Sequence, residues 1–161
     1  MLIDKNIADD FLARYKAVMT FLNGGEVPAD IAAYASLRSL LFEKLYEVDD
    51  ELIRMTGVEF VNTLKRGIFG RFVYLKKYQK GYVLQNIDSG NYYQVSALTT
   101  PLEDFVSDYS LIDTAILPYS SSLVCDGLVL SHGVCIGKNM AKDIRDGYWD
   151  AKRSGELNTN A

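Results

Sequence analysis

The chain has 161 residues, 48% of them hydrophobic, with 17 lysines and arginines against 21 aspartates and glutamates. A chain of this size and apolar content can bury one core without help from a disulfide or a metal. No apolar run approaches the roughly 18 residues of a membrane span, and the net charge of −4 disfavours indiscriminate attachment to nucleic acid or anionic lipid.

The opening Met1–Asn6 lacks a basic stretch followed by an apolar one. The expectation is therefore no export signal, a cytoplasmic location, and two cysteines kept as free thiols. Charge is unevenly spread. Residues 1–59 hold 11 acids and 6 bases, and residues 88–161 hold 10 acids and 5 bases. Between them, Phe60 to Ile87 carries Lys65, Arg66, Arg71, Lys76, Lys77 and Lys80 with no acid.

Helical spacing dominates the first third. Ile7, Phe11, Val18 and Leu22 share one face, with Leu12, Tyr15 and Met19 beside them. Asn23-Gly24-Gly25 ends that helix. Pro28 suits the first turn of a second, whose stripe is Ile31, Tyr34, Leu37, Leu41 and Leu45. Asp49-Asp50 predicts a new short helix through Met55. Thr56 with Glu59 has capping-box spacing and predicts another, through Ile68.

The period changes near Gly70. Phe69–Leu75 is aromatic and β-branched, as strands are. Lys80-Gly81 predicts a turn, Tyr82–Ile87 a second strand, Asp88–Asn91 a turn and Tyr92–Leu98 a third strand. Thr100-Pro101-Leu102-Glu103 predicts a short helical turn. Leu111–Leu117 predicts a strand stopped by Pro118. Asp126-Gly127 predicts a tight hairpin between Leu123–Cys125 and Leu128–Leu130. Val134–Ile136 adds a last short strand. A final helix from Asn139 presents Met140, Ile144, Tyr148 and Ala151 inward, is capped by Gly155, and leaves a frayed tail from Asn158.

The fold class expected is α+β: a helical N-terminal half packed on a small antiparallel sheet, meander plus hairpin, closed by a C-terminal helix. It forms one domain over residues 1–161. Residues 1–67 are mainly helical, residues 68–137 are β-rich, and residues 138–155 make the terminal helix.

Four segments in this order resemble an uncharacterised, mostly bacterial protein family. They are Val18–Asn23; Gly67–Val73 with Leu75-Lys76-Lys77-Tyr78; Leu98–Glu103; and Leu117-Pro118-Tyr119 leading to Cys125-Asp126-Gly127-Leu128. The resemblance spans about residues 15 to 157 and implies the order of elements, not an activity. Cys125 stands where the family more often has tyrosine, and Tyr119 where it more often has phenylalanine.

No catalytic set emerges. His132 is the only histidine, which excludes paired-histidine metal sites. Cys125, His132 and Cys135 form C-x6-H-x2-C, which matches no common zinc module. Gly133–Asn139 falls one residue short of a phosphate loop, and Asn139 replaces its hydroxyl residue. Glu103 is explained by capping, and Asp88 and Asp126 by turns. The expectation is no catalytic residue, no metal and no cofactor.

The basic segment is the strongest functional signal. Lys76, Lys77 and Lys80 flank Tyr74, Tyr78 and Tyr82. The leading reading is a non-enzymatic module that binds a protein, a second copy of itself included, through this sheet surface. The alternative is a nucleic-acid-associated protein using the basic stretch Lys65–Lys80, because cations beside aromatic faces suit single strands. No membrane partner is expected.

Overall fold

The computed structural model describes residues 1–160. Three helices come first: α1 (Lys5–Leu22), α2 (Ile31–Thr56) and α3 (Val58–Lys65). Six strands follow: β1 (Ile68–Tyr78), β2 (Gly81–Asn86), β3 (Tyr92–Val95), β4 (Ser110–Tyr119), β5 (Ser122–Cys125) and β6 (Leu130–Cys135). A short 3₁₀ turn, Leu102–Asp104, lies between β3 and β4, and α4 (Lys138–Ser154) ends the fold. The class is α+β, and no helix among the described residues is long and apolar enough to cross a membrane.

The antiparallel strand order is β3-β2-β1-β4-β5, with β6 also on β4. The sheet curls until its two ends meet. Ser96 donates its N–H to the Leu123 carbonyl at 2.9 Å and accepts from the Cys125 N–H at 2.9 Å. This parallel bridge joins the end of β3 to β5 and removes two free edges.

Alternation along the curled strands makes three packed layers. Phe72, Tyr74, Tyr82, Leu84, Ile112, Ile116 and Cys125 fill the inside of the curl. Ala115, Leu117 and Val124 point outward onto α1, α2 and α3, whose stripes include Phe11, Tyr15, Leu41, Leu52 and Leu64. Val73, Leu75 and Val83 point outward elsewhere and meet Tyr148 and Ala151 of α4.

Several local expectations give way to this packing. The second helix does not stop at Asp49-Asp50, because Leu41, Leu45 and Leu52 continue one buried stripe through them. Thr56 does not open a capping box. Its hydroxyl donates to the Leu52 carbonyl at 2.8 Å inside α2, and Gly57, at φ +91°, makes the break instead. Pro118 lies inside β4. The β1 ladder ends at Ile68 opposite Ile116, so the missing N–H of Pro118 interrupts nothing there.

The tight hairpin forms elsewhere too. Tyr119 pairs with Ser122 across Ser120-Ser121, both at positive φ, so the two-residue turn joins β4 to β5. Asp126-Gly127 makes no hairpin: β5 and β6 pair with opposite ends of β4. Ser131-His132-Gly133, which separates the two expected strands Leu128–Leu130 and Val134–Ile136, lies within β6 and joins them into one strand. Met140 is exposed, not on the inner face of α4. Asn158 is held by its N–H donating to the Tyr92 carbonyl at 3.0 Å, so the tail is tied down at that residue.

Gly147 sets how closely α4 approaches the sheet. A Cβ there would meet the Tyr92 hydroxyl at 2.3 Å. That hydroxyl donates to the Ile144 carbonyl at 2.7 Å, so it is not free to withdraw. Gly→Ala in a helix ordinarily stabilises by about 1 kcal/mol. Here Gly147→Ala is expected to destabilise by about 1–3 kcal/mol through overpacking. In a Tyr92→Phe background the cost should shrink. Urea midpoints of the four proteins test this, and a Gly147→Ala protein as stable as the parent refutes it.

Candidate functional site

The six residues singled out in the sequence do not form one surface. Tyr74 and Tyr82 lie inside the curl with no exposure, their ring centroids 6.2 Å apart. Burial raises the pKa of both phenols, that of Tyr82 to about 12 with help from the Glu103 charge. They are core residues, which corrects their assignment to a binding face. Tyr78 is half-buried against Tyr148, at 4.5 Å between centroids. Lys76, Lys77 and Lys80 are exposed. The cause of the split is an irregularity in the β1–β2 register between Tyr74 and Lys76, which turns Tyr78 to the opposite face from Tyr74.

The acid-free stretch acquires acids through the fold. Lys65 pairs with Asp49 at 2.8 Å, Arg71 with Asp113 at 3.2 Å and Lys77 with Glu103 at 3.1 Å. The nearby Tyr82 hydroxyl, backbone N–H and Lys77 together hold the Glu103 pKa down to about 2. Three of the six cations in the stretch are thus paired.

Cys125, His132 and Cys135 do not converge. Cys125 pairs with Ile116 near one end of β4 and Cys135 with Ser110 at the other. Six residues of strand separate them by roughly 20 Å. Cys125 is fully buried, and burial raises its thiol to about 11, the reverse of what a nucleophile needs. His132 Nε2 lies 2.8 Å from Asp113, and Cys135 is exposed.

What the fold does assemble is a buried charge centre beneath a cleft. Arg38 of α2 places Nη1 3.1 Å from each carboxylate oxygen of Asp126. The Tyr15 hydroxyl of α1 donates to the same carboxylate at 2.7 Å, and the Leu128 N–H donates to it at 3.0 Å. Thr114 of β4 donates at 3.3 Å. Arg38 Nη1 also donates to the Leu128 carbonyl. The guanidinium lies 4.8 Å over the ring of Phe69, so its face is covered as well. Burial, and then the Asp126 charge, raise the Tyr15 phenol well above its ordinary range, which keeps it a donor.

Above this centre lies a cleft of about 520 Å³ between α1, the start of α2, and the loops after β3 and β5. Its walls are mainly apolar and include Leu12, Tyr34, Leu98, Leu102 and Leu128. Ile31 and Phe105 stand at its mouth, 61% and 45% exposed. Lys16, Thr99 and Thr100 supply its polar rim.

The sequence carried a signal for this centre that composition hid. Arg38 sits between Tyr34 and Leu41 on the apolar stripe of α2, where a charge is out of place unless paired. Nothing local identified its partner, 88 residues away.

Asp126 is occupied by four donor residues and Cys125 is a buried thiol. Comparison with protein-family models, with curated proteins and with solved structures returned no match.

Proposed function

We propose that the protein is a non-enzymatic binding module whose cleft receives an amphipathic helix of a partner protein. One observation carries the reading. The apolar surface does not stop at the walls but runs out to exposed Ile31 and Phe105 at the mouth. A small-molecule site encloses most of its ligand. An apolar groove with apolar lips suits the stripe of a helix with anchors at i, i+3 or i+4, and i+7. Lys16 at the rim favours an acidic residue on that helix. The sheet surface is less suited to this role, because α1–α3 and α4 cover its outer faces and side chains fill its inner one.

A photo-crosslinking residue at position 105, introduced in the native cell, is expected to capture one partner through a helix of that pattern. A synthetic peptide of the captured segment should bind, and Ile31→Glu with Phe105→Glu should weaken it at least tenfold at unchanged thermal stability. Exposed Tyr46, on α2 outside the cleft, provides the comparison. The same captures from position 46, or a peptide indifferent to the two lip changes, overturn the reading.

A further inference from the structure

Helix α4 pairs Lys142 with Asp146 and Arg153 with Asp150 along its own surface and leaves Arg145 and Lys152 without such a partner. Ile144, Tyr148 and Ala151 face the sheet. One position further along the helix, Arg145 and Lys152 flank Trp149, at spacings of four and three residues that put all three on one stripe. Asp143 and Asp150 fall elsewhere around the helix, and Asp146, three residues before Trp149, is held by Lys142 at 3.8 Å. Asp150 lies beside Tyr92, across the buried stripe from the cations.

The cationic flank continues onto the end of β1. Trp149 is the only tryptophan and is 39% exposed. Lys152 Nζ lies 5.1 Å from its ring centroid, and the Tyr78 ring meets it edge-on at 5.9 Å. Lys76 Nζ in turn lies 5.5 Å over Tyr78, and the Arg145 charge reaches the Tyr78 phenol. Lys80 is exposed in the turn that follows Tyr78. Lys65, Arg71 and Lys77 have acid partners, whereas Lys76, Lys80, Arg145 and Lys152 have none within ion-pair distance among the described residues.

We propose that this platform of Trp149 and Tyr78, bordered by Lys76, Lys80, Arg145 and Lys152, binds single-stranded nucleic acid. Unpaired cations beside an exposed indole match what a single strand presents: a charged backbone and unstacked base faces. A duplex hides those faces. A membrane would need more inserted apolar surface than one indole supplies. A protein interface of this kind would have an apolar centre and a polar rim, whereas here the unpaired charges bordering the indole are cationic, the neighbouring Asp146 being paired with Lys142 at 3.8 Å. The platform shares no residue with the lining of the cleft.

The single tryptophan is its own reporter. Adding a short oligo(U) or oligo(dT) to the full chain at low salt should quench Trp149 emission saturably. The logarithm of affinity should fall with that of salt at a slope of about −3, as for four phosphate contacts on a single strand. Trp149→Ala should weaken binding of a labelled oligonucleotide roughly tenfold through lost stacking. Lys76→Glu with Lys152→Glu should abolish it, and Lys44→Glu on α2 should not. The exposed lysine changes keep the test valid if Trp149→Ala perturbs folding. Unchanged Trp149 emission, or heparin and anionic vesicles bound as tightly as the oligonucleotides, would overturn the proposal.

Discussion

Arg38→Met is expected to destabilise the protein by about 3–5 kcal/mol, because it leaves a buried carboxylate without its counter-charge. Arg38 and Asp126 are 1% and 2% exposed, so neither can regain water without local unfolding. Asp126→Asn should cost a similar amount, now leaving the guanidinium unpaired. Asparagine can still accept from the Leu128 N–H and exchange a bond with Tyr15. The double variant Arg38→Met with Asp126→Asn therefore carries no orphaned charge and should lose about 2–3 kcal/mol less than the sum of the singles. Urea unfolding of the four proteins closes the cycle. Additive losses, within about 0.5 kcal/mol, would mean the two groups act independently despite their 3.1 Å contact. The centre ties α1, α2, β4 and the connection after β5 together through Tyr15, Arg38, Thr114 and Leu128. Its loss should also loosen the cleft above it, read as faster hydrogen exchange at the Leu128 amide.

That centre marks the limit of what was legible in the sequence. Features decided by neighbours in the chain were readable: the change of period near Gly70, the Asp88–Asn91 turn, and the left-handed cap at Gly155. Features decided by distant partners were not. Asp126-Gly127 has strong local turn chemistry, yet the carboxylate is claimed by Arg38 and Tyr15, 88 and 111 residues away. The closure of the sheet rests on Ser96 meeting β5, which no local pattern encodes. The tyrosines failed for a third reason. Tyr74 and Tyr78 have the same parity in a regular strand, and the register irregularity between Tyr74 and Lys76 puts them on opposite faces. Of the six residues chosen from sequence, Lys76, Tyr78 and Lys80 belong to the platform proposed on α4 and β1. Their companions Arg145, Trp149 and Lys152 come from a helix about 70 residues further on, brought there only by packing on the sheet.

Stability should fall steeply above about pH 9, and the cause is what the core does to its phenols and thiol. In an unfolded chain Cys125 releases its proton near 9.0 and the tyrosines near 10.0. In the fold, burial raises Cys125 to about 11 and pushes Tyr15 and Tyr74 higher than their ordinary range. Between those limits the folded chain holds more protons than the unfolded one, so unfolding releases protons and rising pH favours it. Each such group contributes a slope of about −1.4 kcal/mol per pH unit. Cys125 contributes its share between about 9 and 11, and Tyr15 and Tyr74 together give roughly −3 kcal/mol per unit once both are ionised in the unfolded chain. Below the thiol's ordinary range these groups contribute no pH dependence. Urea midpoints should therefore be level near neutrality and drop on the alkaline side. Phenolate absorbance should show some of the eleven tyrosines ionising only as the chain unfolds. Tyr74→Phe should reduce the slope by about one group's share, because its hydroxyl makes no hydrogen bond in the core. A midpoint that stays level through the phenol range, or a slope unchanged by Tyr74→Phe, would show that these groups reach water without unfolding.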